Sequence, residues 1–260
     1  MHLSFYKYQG TGNDFIIVDN RRGIRQAYST TLIQKLCDRR FGIGADGLMT
    51  IEEHRGYDFE MTYYNADGSQ SLCGNGSRCA VHLAQALGII AKKAYFLTTD
   101  GPHHASIKED SIHLQLQDVS DIQTLPGGYV LNTGSPHYVK QVDNWKNLDV
   151  FQAGKKIRDT PPFHKNGINV NFVSLEDGNK IFVRTYERGV EDETLSCGTG
   201  AVAAALIAAT KGQKSPVTVH TQGGRLQVSF TQKNKNHFTK IHLIGPARMV
   251  FRGVIDTTMG

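Results

Sequence analysis

Two cysteines, Cys73 and Cys197, stand at the same place in two similar stretches of this 260-residue chain. Each opens a Cys-Gly-x-Gly motif, CGNG at 73–76 and CGTG at 197–200, and a stretch with helical character follows. The second of these, AVAAALIAA, has no polar stripe and predicts a buried helix. We therefore expect each thiol at the N-terminus of a buried helix, where the backbone N–H groups and the helix dipole favour a thiolate.

Two thiols at matching places are suited to inverting a carbon that carries one acidic hydrogen. One thiolate removes the proton from one face and one thiol delivers a proton to the other, without a metal or an imine cofactor. An ordinary thiol, with a pKa of about 8.5, is only slightly ionised at neutral pH, and a helix N-terminus lowers that pKa. The backbone N–H groups of the first helical residues would hold a substrate carboxylate while the α-carbon loses its proton. These residues are Gly74, Asn75, Gly198 and Thr199.

The two cysteine stretches belong to a longer repeat. GTGN at 10–13 matches NTGS at 132–135, and TDG at 99–101 matches TQG at 221–223. Asn13 lies 60 positions before the first cysteine, and Ser135 lies 62 positions before the second. Three landmarks thus recur in one order at offsets of 122 to 124 residues, which indicates an internal duplication.

The periodicity of apolar residues predicts an α+β fold with two pseudo-symmetric halves. Short alternating segments are typical of antiparallel strands, so we expect each half to be a mostly antiparallel sheet curled around one central helix. The first half would cover residues 1–117, completed by a returning strand at 249–260, and the second would cover 118–248. The active site would lie in the cleft between the halves. Further helices are predicted at 30–40, with Ser29 or Thr30 as N-cap, and at 148–158.

Composition and charge narrow the class of protein. Hydrophobic residues make up 39% and charged residues 20%, as in soluble globular proteins, and no apolar run has the length of a membrane span. The N-terminal stretch has no secretory pattern, so a cytoplasmic protein is expected. The net charge of +5 comes from scattered Lys and Arg residues, which favours a solvated surface over a nucleic-acid interface. We expect neither a nucleic acid nor a membrane as partner.

The other two cysteines, Cys37 and Cys79, are interpreted as core residues. Cys79 follows Cys73 by six positions, which is about 240° around a helix, so its thiol should point away from the catalytic one. Zinc sites usually have ligands two to four residues apart, a spacing that these cysteines lack, so no metal is expected. Without an export signal, free thiols are favoured over disulfides.

Six motifs identify a family that the chain resembles along nearly its full length. They are GTGNDF at 10–15, GIGADG at 42–47, YNADGSQSLCGNGSRC at 64–79, TGSPH at 133–137, INVNF at 168–172 and YERGVEDETLSCGTGA at 186–201. In this set and order the motifs resemble those of the diaminopimelate epimerases. The resemblance implies a cofactor-independent isomerase that converts L,L-2,6-diaminopimelate to the meso isomer for lysine and cell-wall precursor synthesis. It also implies a cytoplasmic homodimer.

The resemblance also implies roles for individual residues. In the L,L-to-meso direction Cys197 would accept the proton and Cys73 would donate one. His137 and Glu187 would tune the thiols. Substrate would be bound, chiefly at the end that is not inverted, by Asn13, Asn65, Asn169, Glu187 and Arg188. Arg188 suits a carboxylate and Glu187 an ammonium group.

Three positions depart from the family pattern. Some members carry Gln where Gly47 stands and Asn where Ser135 stands, and a serine hydroxyl reaches less far than an asparagine amide. Phe251 aligns with a Tyr that some members use at a dimer contact.

Three alternative functions remain at this point. A proline or hydroxyproline racemase would use the same two cysteines, but its smaller substrate has no distal charged end for Glu187 and Arg188. A thiol redox protein would pair Cys73 with Cys197, but the Cys-x-x-Cys spacing is missing. A non-catalytic protein could bind small anions at the two helix N-termini.

Overall fold

The computed structural model describes residues 2–21 and 28–257. The helices in this part of the chain are α1 (Thr30–Cys37), α2 (Gly74–Ala86), α3 (Val150–Arg158) and α4 (Gly198–Thr210). The strands are β1 (His2–Gly10), β2 (Asn13–Asp19), β3 (Gly47–Glu52), β4 (Phe59–Asn65), β5 (Lys93–Thr98), β6 (Gly101–Lys108), β7 (Ser111–Gln115), β8 (Ile122–Leu125), β9 (Gly128–Asn132), β10 (Pro136–Gln141), β11 (Asn169–Glu176), β12 (Lys180–Glu187), β13 (Asp192–Thr194), β14 (Val217–Thr221), β15 (Gly224–Asn234), β16 (His237–Gly245) and β17 (Arg248–Asp256).

The chain divides into two compact units, Met1–Leu114 with Pro246–Gly260, and Gln115–Gly245. In the first unit the strands pair in the order β17-β1-β2-β3-β4-β5-β6-β7, and in the second in the order β8-β9-β10-β11-β12-β14-β15-β16. Residues 258–260 of the predicted returning strand lie outside the described part of the chain.

The strand pairings follow the same pattern in both units. Most are antiparallel, and the parallel pairs occupy matching places, β2 with β3 and β4 with β5 in one unit, β10 with β11 and β12 with β14 in the other. The mixed fold of helices and mostly antiparallel sheets is therefore confirmed. Equal topology is what an internal duplication produces.

One buried helix packs on the sheet of each unit. All of α4 from Gly198 to Ala209 is buried, as its lack of a polar stripe predicts. In α2 the buried residues include the first turn and Cys79, which is fully buried. Cys37 is buried in α1, so both cysteines that were interpreted as core residues are confirmed as such.

The shorter helices α1 and α3 pack on other sheet residues. Ile16 and Val18 of β2 join the cluster under α1, and Val170 and Phe172 of β11 join the cluster under α3. Successive side chains of a strand point to opposite faces of its sheet. Phe15 of β2 and Asn171 of β11 therefore lie on the faces that pack against the central helices α2 and α4, and not on the faces under α1 and α3.

Two helix boundaries differ from prediction. Ser29 is the N-cap of α1, but the helix ends at Cys37 rather than residue 40, because Asp38 turns to an extended backbone and its carboxylate accepts the backbone N–H groups of Arg40 and Phe41. Helix α3 begins at Val150 rather than residue 148, because Asp149 caps it. None of the described helices is long and apolar enough to cross a membrane.

Candidate active site

Cys73 is the N-cap residue of α2, with an extended backbone at φ −126° and ψ 106°. Its Sγ accepts the backbone N–H of Gly76 at 3.4 Å and lies 3.6 Å from Oδ1 of Asn13. The sequence prediction of a cysteine at the start of a buried helix is therefore confirmed in this unit. A Cβ on Gly76 would lie 2.9 Å from the sulfur of Met49 in β3, so the methionine side chain would have to shift to accept a larger residue there.

The Asn13 side chain is oriented by Asp46. Asn13 Nδ2 donates to Asp46 Oδ2 at 2.5 Å, and because a carboxylate only accepts, the amide oxygen must point the other way. That oxygen accepts Asn75 Nδ2 at 3.4 Å and faces the thiol of Cys73. The first residue of β2 thus presents an acceptor to the first cysteine.

Charged residues hold Asp46 and its neighbour Asp14 in place. Arg39 bridges the two carboxylates at 2.8 and 2.7 Å, and Lys7 pairs with Asp14 at 2.7 Å. Burial alone would raise the pKa of Asp14, but the hydrogen bonds from Arg39 and Lys7 outweigh it and hold that pKa at about 2. Asp14 is therefore ionised at neutral pH.

Arg78 lies fully buried behind the first helix turn, and sequence reasoning missed it. Its guanidinium donates to Asn75 Oδ1 at 2.9 Å, to Thr11 Oγ1 at 3.2 Å and to the carbonyl of Pro246 at 3.4 Å. Burial lowers its pKa to about 10, so the group keeps its positive charge at neutral pH. A single arginine within the otherwise buried start of α2 was the signal that could have identified it.

The neighbours of Asn65 and Gly47 account for the residue type at each of these two positions. Asn65 Nδ2 donates to Ser69 and Ser71 in the turn that follows β4, so these hydrogen bonds hold its amide against the turn. A Cβ on Gly47 would lie 2.5 Å from the ring of Tyr63. The tyrosine therefore fills the space that a larger residue at 47 would need.

Cys197 is the N-cap residue of α4, again with an extended backbone, at φ −110° and ψ 115°. Its Sγ lies 3.6 Å from Oγ1 of Thr199, two residues along. The thiol, Gly198 and Thr199 are all buried. The second cysteine therefore also occupies the predicted position at the start of a buried helix.

His137 reaches Cys197 through Thr199. Its Nε2 lies 2.9 Å from Thr199 Oγ1 and 3.0 Å from Ser135 Oγ, while Nδ1 lies 3.0 Å from Asn171 Nδ2. Burial lowers the pKa of His137 to about 3, and the positive charge of Arg188 acts in the same direction. The imidazole is therefore neutral at physiological pH.

Asn169 connects this group to the residues after β12. It donates to Ser135 Oγ at 3.2 Å and to the carbonyl of Pro136 at 3.0 Å, and its Oδ1 accepts the backbone N–H of Arg188 at 2.9 Å. Glu187 accepts the hydroxyl of Thr194 at 2.7 Å. Arg188 is an exposed residue, and its guanidinium donates to the carbonyl of Asn166 at 3.4 Å.

Sequence reasoning missed Asn171 and Thr185, which are buried behind His137. Polar residues at two strand positions that face a buried helix were the available signal. Among the residues that the structure describes, no group of three or more His, Cys, Asp or Glu side chains is placed to hold a metal ion.

Comparison with known proteins adds to this geometry. The profile of the family described as diaminopimelate epimerase matches residues 5–119 and 129–250. The chain belongs to the diaminopimelate epimerase family. The diaminopimelate epimerase of Flavobacterium psychrophilum is 52% identical over 257 residues, covering 97% of this chain and 100% of that protein. The diaminopimelate epimerase of Chlorobaculum tepidum is 41% identical, covering 95% and 98%.

Solved structures share the fold of this epimerase family member at low sequence identity. A hydroxyproline epimerase from Agrobacterium vitis has a TM-score of 0.69 at 12% identity, covering 98% of this chain and 92% of that one. A phenazine biosynthesis protein of the PhzF family from Enterococcus faecalis has a TM-score of 0.70 at 15% identity, covering 98% and 100%. At these identities the likeness establishes the fold alone.

Proposed function

We propose that this chain catalyses the epimerisation of L,L-2,6-diaminopimelate to meso-diaminopimelate by a two-thiol mechanism. In that direction Cys197 takes the α-proton and Cys73 supplies the new one. The observation that carries the proposal is the position of both cysteines, each the N-cap of a central buried helix. Membership of the family supplies the substrate.

The chemistry requires the α-carbon to lie between the two sulfurs. We therefore propose that the backbone N–H groups at the starts of α2 and α4 surround the reacting carboxylate of the substrate. In the first turn of a helix these groups point out of the N-terminus, at the positive end of the helix dipole, so they suit an anion that gains charge in the transition state. They belong to Gly74, Asn75, Gly198 and Thr199.

The distal end of the substrate carries an ammonium and a carboxylate group, which need partners of opposite charge. We assign the carboxylate to the exposed guanidinium of Arg188 and the ammonium to Glu187, with the amides of Asn13, Asn65 and Asn169 as further contacts. His137 and Glu187 are assigned to tuning the thiols. For His137 the support is its link to Cys197 through Thr199.

The remaining parts of the proposal concern the setting of the reaction. We propose a cofactor-independent cytoplasmic enzyme of lysine and cell-wall precursor synthesis, acting as a homodimer. Strand β17 exposes the apolar side chains of Met249, Val250, Phe251 and Val254, between 47% and 64% exposed, and such a surface favours burial against a second copy. Sedimentation of the wild type and of Phe251→Asp would test this, and a wild-type monomer would contradict it.

The experiment that tests the function is a turnover assay with L,L-diaminopimelate, run with chelator and without added pyridoxal phosphate. Formation of the meso isomer is expected under these conditions. Trans-4-hydroxy-L-proline and a small disulfide serve as rival substrates. Faster conversion of the proline derivative would favour the racemase alternative, and reduction of the disulfide would favour a redox protein. The absence of turnover with all three compounds would favour a non-catalytic protein that binds small anions.

A further inference from the structure

A buried hydrogen-bonded chain lies behind Cys197. It runs from Thr185 through Asn171, His137 and Thr199 to the cysteine, and each of these residues is at most 8% exposed. A Cβ on Gly200 would overlap Asn171 Oδ1, so the glycine lets this amide approach the start of α4. We call these residues the Cys197 relay.

The fold alone does not demand a polar chain at this place. Strand register matches His137 to Phe15, because each pairs with the first residue of its parallel partner strand, Asn169 of β11 or Gly47 of β3. The antiparallel pair of Asn171 and Thr185 matches the pair of Met49 and Tyr63 in the same way. The first unit thus has Phe, Met and Tyr at the positions where the second unit has His, Asn and Thr.

The orientation of the Asn171 amide is fixed by its neighbours. Its Nδ2 lies 3.2 Å from the carbonyl oxygen of Tyr138, which can only accept, and its Oδ1 accepts the hydroxyl of Thr185 at 2.9 Å. The same NH₂ group lies 3.0 Å from His137 Nδ1. A donor at this place requires Nδ1 to be an acceptor, so the proton of the neutral ring must be on Nε2.

The Ser135 hydroxyl receives two donors. Asn169 Oδ1 accepts the backbone N–H of Arg188, so its NH₂ group faces Ser135 Oγ at 3.2 Å. The Nε2–H of His137 lies 3.0 Å from the same oxygen. Since a hydroxyl oxygen has two acceptor sites, the Ser135 hydrogen is left to donate, and Thr199 Oγ1 lies 3.2 Å away.

Thr199 then has its acceptor sites filled in the same way. The one Nε2–H of His137 is shared between Ser135 Oγ at 3.0 Å and Thr199 Oγ1 at 2.9 Å, and the Ser135 hydroxyl donates to the same threonine oxygen. The hydroxyl hydrogen of Thr199 is left for Cys197 Sγ, 3.6 Å away. A hydroxyl that donates to sulfur stabilises the thiolate more than the thiol, because hydrogen bonds to an ionised acceptor are the stronger ones.

We propose that Asn171 and Thr185 are positioning residues that fix the neutral Nε2–H form of His137 and so direct the hydroxyl hydrogen of Thr199 to the sulfur of Cys197. The inference rests on the proposed function in one respect, that Cys197 is the base in the L,L-to-meso direction. The relay would keep the second cysteine ready to accept a proton before substrate arrives.

The first test observes the His137 tautomer by ¹⁵N NMR of the wild-type protein labelled on histidine, with His137→Gln to assign the signals. A neutral ring with the proton on Nε2 is expected across neutral pH. A proton on Nδ1, or an imidazolium, would overturn the inference.

The second test measures the thiolate of Cys197 by its ultraviolet absorbance as a function of pH. A Cys73→Ala background removes the other catalytic thiol, while Cys37 and Cys79 are buried and burial raises the pKa of both. Thr199→Val should move the titration midpoint up by about one to two pH units, the scale of one hydrogen bond to a charged group. An unchanged midpoint would contradict the proposed donor.

Variants of Thr185 and Asn171 test whether these two residues position His137. Thr185→Val and Asn171→Leu should shift the same midpoint upward by a smaller amount, and Thr185→Ser should restore it. Ser174→Ala is the matched control, because Ser174 is also buried in β11 but on the opposite face from Asn171. A shift in the control as large as in the relay variants would show a general loosening of β11 and overturn the assignment.

These readouts need no substrate, so they separate this inference from the proposed function. Wild-type protein that epimerises diaminopimelate but has the Nδ1–H tautomer would refute the relay alone. Protein with the expected tautomer and midpoint but without epimerase activity would refute the proposed function instead.

Discussion

The side-chain oxygen of Asn13 lies 3.6 Å from the sulfur of Cys73, while the amide nitrogen of the same residue binds Asp46. An amide oxygen can only accept a hydrogen bond, so it favours Cys73 as a thiol that donates. In the proposed relay, Cys197 instead receives a hydrogen bond from Thr199. The side chains beside the two cysteines would then differ, with an acceptor at Cys73 and a donor at Cys197, while the backbone N–H of Gly76 also donates to Cys73.

The orientation of Asn13 can be tested through Asp46. Asp46→Ala frees the amide to rotate, and we expect kcat/KM in the L,L-to-meso direction to fall roughly tenfold, the scale of one lost hydrogen bond at a reacting group. Asp118→Ala is the control. The Asp118 carboxylate is exposed and accepts one backbone N–H, from Lys240 at 3.1 Å. Asp46 likewise accepts one backbone N–H, from Asp14 at 3.1 Å. Steady-state kinetics that change equally in both variants would contradict the role of Asp46.

Arg188 should determine which substrates are accepted. Arg188→Ala removes the partner of the distal carboxylate, so kcat/KM for diaminopimelate should fall by about 10- to 100-fold. L-Lysine lacks that carboxylate, so its already slow α-hydrogen exchange should change little. Arg225→Ala, another exposed arginine of the same unit, should leave both rates unchanged. Equal losses for the two substrates in Arg188→Ala would show that the distal site is misassigned.

The depressed pKa of His137 predicts a pH dependence of stability. The folded protein holds this pKa at about 3, whereas an unfolded histidine titrates near pH 6.5, so between these values the unfolded chain binds the extra proton. The free energy of unfolding should therefore fall as pH falls below about 6.5, by up to ~1.4 kcal/mol per pH unit. Burial lowers the pKa of His82 too, which contributes in the same direction.

Urea unfolding between about pH 7 and about pH 4.5 checks this dependence, above the range in which most carboxylates titrate. The fluorescence of Trp145, the single tryptophan, reports on the unit that contains His137. His137→Gln should flatten the curve relative to the wild type. Parallel curves for the two proteins would show that His137 is not the titrating group.

Much of the fold follows from local sequence signals. The all-apolar run 201–209 had to be buried, and the matching spacing of GTGN and NTGS to their cysteines predicted two units of equal topology. The end of α1 could not be predicted from periodicity, because Leu36 and Cys37 continue the apolar pattern toward Asp38. A side-chain carboxylate that binds the next backbone N–H groups ended the helix instead.

The surroundings of the two cysteines were less predictable, because they depend on strand register. Asn171 and Thr185 lie 14 positions apart, and only the antiparallel pairing of β11 with β12 brings them together. Asn13 and Asp46 lie 33 positions apart, and their contact requires the parallel pairing of β2 with β3. Resemblance to a family supplied residue roles, but not the hydrogen-bond directions that these contacts impose.

Mild oxidation should inactivate the enzyme reversibly. In the proposed arrangement both sulfurs face one carbon, so without substrate they could form a disulfide that removes the acid and the base together. Cys37 and Cys79 should not take part, because both are buried and burial raises the pKa of Cys37 to about 11. Peptide mapping should find a bond between Cys73 and Cys197, and dithiothreitol should restore activity. Inactive protein without that bond would contradict a facing arrangement.

The most direct measurement of the two-thiol mechanism is α-hydrogen exchange in deuterated water, followed by NMR for the L,L and meso isomers separately. In the wild type, the product should gain deuterium early while the remaining substrate stays largely unlabelled, because each thiol serves one face. Cys73→Ser and Cys197→Ser should each abolish epimerisation, since a serine hydroxyl is far too weak an acid to replace the thiol. Each should retain exchange only for the isomer whose hydrogen faces the remaining cysteine. Near-native epimerisation by either variant, or exchange of both isomers by one of them, would contradict the mechanism.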